Sequence, residues 1–105
     1  MRILGFDWDE HNRRKLDDHE LDPESVEELF ETGDPLVIRH PSVAGRFLAL
    51  GFVPDGRFVL VVFERDQETR WVRVVTAYEP SSSRWWQEYE KAKGNTGAGT
   101  PGPRR

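Results

Sequence analysis

The stretch from Arg57 to Arg65, RFVLVVFER, is almost unbroken in apolar side chains, and it narrows what this chain can fold into more than any other feature. A strand with one wet face alternates apolar and polar residues, whereas a strand apolar at successive positions has both faces covered. The run therefore predicts a central strand of a layered domain. Flanking segments supply its neighbours: Pro35 to His40 (PLVIRH), Arg46 to Val53 (RFLALGFV) and Arg70 to Tyr78 (RWVRVVTAY). Pro54-Asp55-Gly56 is a hairpin turn, because Pro pre-sets the first turn residue and Gly accepts positive φ. Asp66 to Thr69 turns the chain again, and short connections of this kind predict antiparallel pairing. Along the last strand, simple alternation puts Trp71, Arg73, Val75 and Ala77 on one face and Val72, Val74, Thr76 and Tyr78 on the other.

The first third reads differently. Arg2 to Trp8 (RILGFDW) is a short strand or extended lead-in. Asp9 to His19 is polar throughout, with Leu16 its only large aliphatic, so a helix there is weakly anchored by apolar contacts. Asp22-Pro23 is an N-cap followed by a proline suited to the first helical position. Val26, Leu29 and Phe30 then fall at i, i+3, i+4 on one helical face, and Gly33 ends the helix. After Pro80, Ser81 to Ser83 offer N-caps for a helix through Lys93 that carries Trp85, Trp86, Tyr89 and Ala92. The expected fold is α+β: a short N-terminal strand, two acidic helices, a curved four-stranded antiparallel sheet and a closing Trp-rich helix. One domain over residues 1–93 accounts for the 105 residues. The remainder, 94–105 (GNTGAGTPGPRR), is a Gly/Pro-rich tail expected to be disordered.

Absent cysteine excludes disulfide scaffolds and thiolate chemistry. The N-terminal apolar run is too short for a signal peptide, and no stretch approaches the roughly 18 apolar residues of a membrane span. These features predict a cytoplasmic protein without a membrane partner. The net charge is −4, unevenly spread: residues 1–34 carry twelve acids and four Lys/Arg, a balance of −8, leaving +4 on the rest. Two solvated acidic helices explain this split, and so does a sheet half that offers a basic surface to an anion.

Strong chemical signatures are lacking: there is no Walker loop, no GxGxxG, no HExxH and no Gly-x-Ser-x-Gly. His11, His19 and His40 lack metal-site spacing, so neither a metal nor a cofactor is expected. The remaining signal is polar side chains on the sheet. Arg46, Glu64 and Arg73 converge on one surface if the register allows it. Guanidinium groups clamp phosphates through a planar fork of donors, and a nearby Glu or His can assist proton transfer from a ribose 2′-hydroxyl. The same charges also read as cross-strand pairs on a wet face.

Several segments, taken in order, resemble the BrnT family. Phe6-Asp7-Trp8-Asp9 resembles its opening Phe-Glu/Asp-Trp-Asp. Gly45-Arg46-Phe47-Leu48-Ala49-Leu50-Gly51 resembles its Glu-Arg-Phe/Tyr-x-x-x-Gly strand. Val61-Val62-Phe63-Glu64-Arg65 and Arg73-Val74-Val75-Thr76-Ala77 resemble Val-Val-Tyr/Phe-Thr-Glu-Arg and Arg-Ile-Ile-Ser-Ala. The resemblance implies a RelE-like fold and a toxin of a type II toxin–antitoxin pair, an RNase that cuts RNA without metal and is neutralised by a cognate antitoxin protein. It carries His19, Arg46, Glu64 and Arg73 over as site residues, with the arginines holding the scissile phosphate. Tyr78 reads as a catalytic or stacking group, or as packing against Trp85 or Trp86. The chain departs from the family at Asp18-His19-Glu20, where members have Lys-His-Gly, and at Tyr78-Glu79-Pro80, where they have arginines. Three functions remain open on these grounds: an active ribonuclease toxin, a non-catalytic interaction module on the same fold, and a homodimer formed through the aromatic surface.

Overall fold

In a computed structural model, which describes residues 3–97, the apolar run sits where its burial demands, in the middle strand of a five-stranded sheet. In chain order the elements are β1 (Gly5–Phe6), α1 (Glu10–Asp17), α2 (Pro23–Thr32), β2 (Leu36–Arg39), β3 (Arg46–Phe52), β4 (Phe58–Arg65), β5 (Trp71–Tyr78) and α3 (Ser83–Gly97). The class is α+β. Strands β2 to β5 form an antiparallel meander, and β1 adds to the free edge of β5 in parallel, giving the order β1-β5-β4-β3-β2. The sheet thus has five strands where four were expected, because the N-terminal lead-in pairs instead of standing apart. It pairs only briefly: Leu4 N–H donates to the Arg70 carbonyl and Asp7 N–H to that of Val72 before the chain turns into α1.

Alternate residues of β4 face two separate cores. Val59, Val61 and Phe63 pack beneath α1 and α2 with Leu16, Val26, Leu29, Val72 and Val74. Leu60 and Val62 pack with Leu48 and Leu50 on the other face, where Trp85 and Tyr89 of α3 lie against them half-buried. Phe63 is fully buried, edge-on to Phe30 at 5.0 Å and stacked on Phe47 at 5.6 Å. Burying such a side chain stabilises the fold by about 1.5–3 kcal/mol.

Helix ends follow local chemistry. The Asp22 carboxylate accepts the Ser25 N–H at 2.8 Å, and Pro23 opens α2. Gly33 closes it, but not by adopting the left-handed conformation usual there: its φ is −83°, and the residue with positive φ is Asp34, at 47°. Glycine is required at position 33 by space, since a Cβ would lie 2.6 Å from the Leu29 carbonyl oxygen. The expected hairpin turn forms, with Gly56 at φ 98°. The closing helix outruns its expected end at Lys93 and continues to Gly97, since glycine weakens a helix by about 1 kcal/mol without stopping it. The rest of the expected tail, 98–105, lies outside the described residues.

Simple alternation fails on β5. Val62 pairs with Thr76 but Phe63 pairs with Val74, so Val75 is an inserted bulge residue. Beyond it the faces exchange. Ala77 joins Val72 and Val74 in the α1/α2 core, and Val75 and Tyr78 pack on the α3 side. No helix among the described residues is long and apolar enough to cross a membrane.

Candidate functional site

Helix α1 has one buried aliphatic, Leu16, and its second anchor is polar. Asn12 is almost completely buried. Its Nδ2 donates to the carbonyls of Asp7 (2.9 Å) and Val74 (3.1 Å), and its Oδ1 accepts the Asp9 N–H (2.8 Å). The carbonyls used along this edge are those of Arg70, just before β5, and of Val72 and Val74 within it, so the Asn12 amide continues the ladder that β1 begins. Asp9 in return accepts the Asn12 backbone N–H at 2.9 Å, completing a reciprocal cap.

The same N-terminal segment captures Arg73. Its guanidinium donates to Asp9 Oδ2 at 2.7 Å and pairs with Asp7 Oδ2 at 3.4 Å. The Asn12 N–H, and then Arg73, hold the Asp9 carboxyl below its ordinary range. The bond to Asp9 raises the Arg73 guanidinium further above its already high value. Cross-strand register places Arg46, Glu64 and Arg73 in one row, as expected from the sequence. Within that row Glu64 bonds Arg46, Nε to Oε2 at 3.0 Å. An open groove of about 560 Å³ beside the row is lined by Asp7, Glu64, Asp66, Trp71 and Arg73. Asp66 accepts the Thr69 and Glu68 backbone N–H groups, which lower its pKa, and Trp71 is 47% exposed. Both sheet arginines are thus matched with carboxylates of their own chain.

His19 and Tyr78 meet elsewhere, with ring centroids 5.7 Å apart. Tyr78 pairs with Leu60 and Arg73 with Glu64, so the two groups are four residues apart along β4, roughly 13 Å. The end of α1 presents His19. Leu21 N–H bonds the Leu16 carbonyl and Glu20 N–H that of Asp17, the paired closure of a helix end that needs a left-handed residue. That residue is Glu20, at φ 59°. Tyr78 is half-buried and packs toward the Leu60 core as well as touching His19. Arg57 ties the two segments together: it donates to the Glu20 carbonyl at 2.9 Å, pairs with Asp55 at 2.9 Å and lies 3.9 Å from Glu79.

The structure therefore divides the five residues singled out in the sequence, bringing Arg46, Glu64 and Arg73 together in one place and His19 and Tyr78 in another. Sequence reasoning missed Asn12, Arg57 and the grip of Asp7 and Asp9 on Arg73. The Asp9-x-x-Asn12 spacing is a legible capping signal for the first of these. The distant partners of Arg57, the Glu20 carbonyl and Glu79, and those of Arg73 leave no local trace.

Among the described residues, no cluster of three or more His, Asp or Glu is arranged to hold a metal ion. A family model described as a domain of unknown function, DUF4258, matches residues 8–79, a span that contains all five candidate residues. No curated protein matches the sequence.

Proposed function

The chain belongs to the DUF4258 family; from the segments that resemble BrnT, we propose that it is a divergent, BrnT-like domain of RelE-like fold acting as the endoribonuclease toxin of a type II toxin–antitoxin pair. The observation that carries this reading is the contact of His19 with Tyr78. An imidazole is the side chain best suited to take a proton near neutral pH. His19 accepts the proton of a ribose 2′-hydroxyl as its oxygen attacks the adjacent phosphorus, and the bond to the 5′-oxygen breaks. The Tyr78 phenol donates a proton to that leaving oxygen, giving a 2′,3′-cyclic phosphate and a 5′-hydroxyl. Arg57 acts as a positioning residue, because it bonds the segments on which both groups sit. Arg46 and Glu64, roughly 13 Å along the sheet from that pair, take no part in the proton transfers, and Arg73 holds the N-terminal segment. A cognate antitoxin protein is the expected partner.

A second reading, a non-catalytic interaction module of the same fold, draws support from the pairing of Arg46 and Arg73 with carboxylates. Incubation of the purified protein with single-stranded RNA separates the two. Wild type yields cyclic-phosphate ends, and His19→Ala and Tyr78→Phe each lower the rate by about 10²–10⁴-fold. A wild-type protein that neither cuts RNA nor arrests growth on expression overturns the nuclease reading in favour of the second.

A further inference from the structure

The β2–β3 connection, residues 40–45, is folded by a side chain. His40 Nδ1 accepts the backbone N–H groups of Ser42 (3.1 Å) and Val43 (3.0 Å). Arg46 N–H bonds the Val43 carbonyl, and His40 N–H bonds that of Arg46. A ring nitrogen that accepts two hydrogen bonds carries no proton, so the imidazole proton resides on Nε2, which remains as a donor. The loop's shape is thus set by its own bonds.

Around it lies a recess of about 440 Å³ lined by Arg39, His40, Arg46, Phe47 and Gln67 together with the loop, and no carboxylate is in that lining. Arg39 is exposed, and no acid of the described residues pairs with it. Arg46 bonds Glu64 through Nε, which leaves its terminal nitrogens to donate elsewhere. The Gln67 amide adds a further donor from the β4–β5 turn. The guanidinium of Arg65 sits 5.8 Å from the centre of the Phe47 ring, so cation and aromatic surface adjoin at the same end of the sheet. Arg57, Arg73 and, through its Nε, Arg46 are paired with acids. Here Arg39 shares one face of the sheet with Phe47, its cross-strand partner, and with the Arg65 guanidinium over that ring, while Arg46, held by Glu64, leaves from the opposite face. Neither Arg39 nor Arg65 is paired with an acid among the described residues, and two such cations on one face are the complement of an oxyanion.

We propose that this recess is a phosphate-binding subsite that takes a backbone phosphate of single-stranded RNA, separate from the His19–Tyr78 pair. The choice of RNA as ligand rests on the function proposed above; the anion chemistry does not. Aromatic surface next to cations is what sequence-tolerant single-strand binding uses.

The test is a fluorescence-anisotropy titration with a labelled 2′-O-methyl oligoribonucleotide, which has no free 2′-hydroxyl and cannot be cut. Binding is therefore read apart from cleavage. Arg39→Glu is expected to weaken binding by about tenfold and to reduce the salt dependence by about one phosphate contact. Lys91→Glu, the same charge change on an exposed position of α3, is expected to shift it by less than about twofold. Both positions are exposed, and matching thermal melts confirm that each variant folds. Equal losses in the two variants, or none in Arg39→Glu, overturn the subsite. So does a wild-type protein that binds inorganic phosphate but not the oligonucleotide. Binding that depends on Arg39 in a protein that cuts no RNA upholds the subsite while the nuclease reading fails.

Discussion

At the start of β5, Arg73 and Asn12 draw three segments together: the lead-in strand, α1 and the sheet edge. At the far end of the same strand, His19 and Tyr78 are brought into contact, yet His19 itself stays exposed and makes few bonds. The first end is a closed polar network in which donors and acceptors find partners within the chain. A group in such a network is costly to remove, because a buried partner left unmatched loses its solvation as well as its bond. The second end positions its groups through the backbone, by the α1 closure and by Arg57, and leaves the imidazole open to solvent.

That contrast can be broken by substitution. Asn12→Ala leaves the carbonyl of Val74 without its donor inside the sheet edge and opens the α1 cap, and should cost about 2–3 kcal/mol in urea denaturation. His19→Ala, at the open end, should stay within about 0.5 kcal/mol of wild type. Equal losses at the two positions would show that the ends do not differ in the way described.

Acid should attack the first end. Asp9 and Asp66 are both held below their ordinary 3.8, Asp9 first by the Asn12 N–H and then by Arg73, Asp66 by backbone N–H groups of its turn. A depressed carboxyl contributes stability that is complete above its unfolded value and is lost as pH falls through the folded one. Stability should therefore decline on acidification from about pH 5 downward. Asp9→Asn retains a capping oxygen but loses the charge that faces Arg73, so its pH profile should be flatter over that window. An unchanged profile, followed by circular dichroism in denaturant at several pH values, would remove the Asp9–Arg73 pair from the account.

A small effect of the opposite sign belongs to the other end. Glu20 occupies a left-handed position at φ 59°, where a β-carbon is disfavoured and glycine is not. Glu20→Gly should raise stability by up to about 1 kcal/mol while retaining the His19–Tyr78 contact. Destabilisation in thermal melts would mean that the Glu20 side chain contributes more than its backbone strain costs. The closure at this helix end calls for a residue free to turn left-handed.

Much of the architecture was legible in the residues alone. The nearly unbroken apolar run marked β4 as central, short turns dictated the antiparallel meander, and Asp22-Pro23 marked the start of α2. These signals work because periodicity, caps and turns act over a few neighbouring residues. The row of Arg46, Glu64 and Arg73 was legible as a set, since alternation puts each on the same face of its strand. Their partners were not. Arg73 meets acids 64 and 66 residues away, and one bulge at Val75 moves Ala77 to the opposite face from the one alternation assigns. The sequence by itself determined which elements form and in what order, because those choices rest on local conformational preference and on hydrophobic pattern. Only the tertiary structure decided that Arg73 closes the fold, that His19 reaches Tyr78 and that Arg39 pairs with no acid among the described residues, because register and charge pairing are set by contacts between segments far apart in the chain.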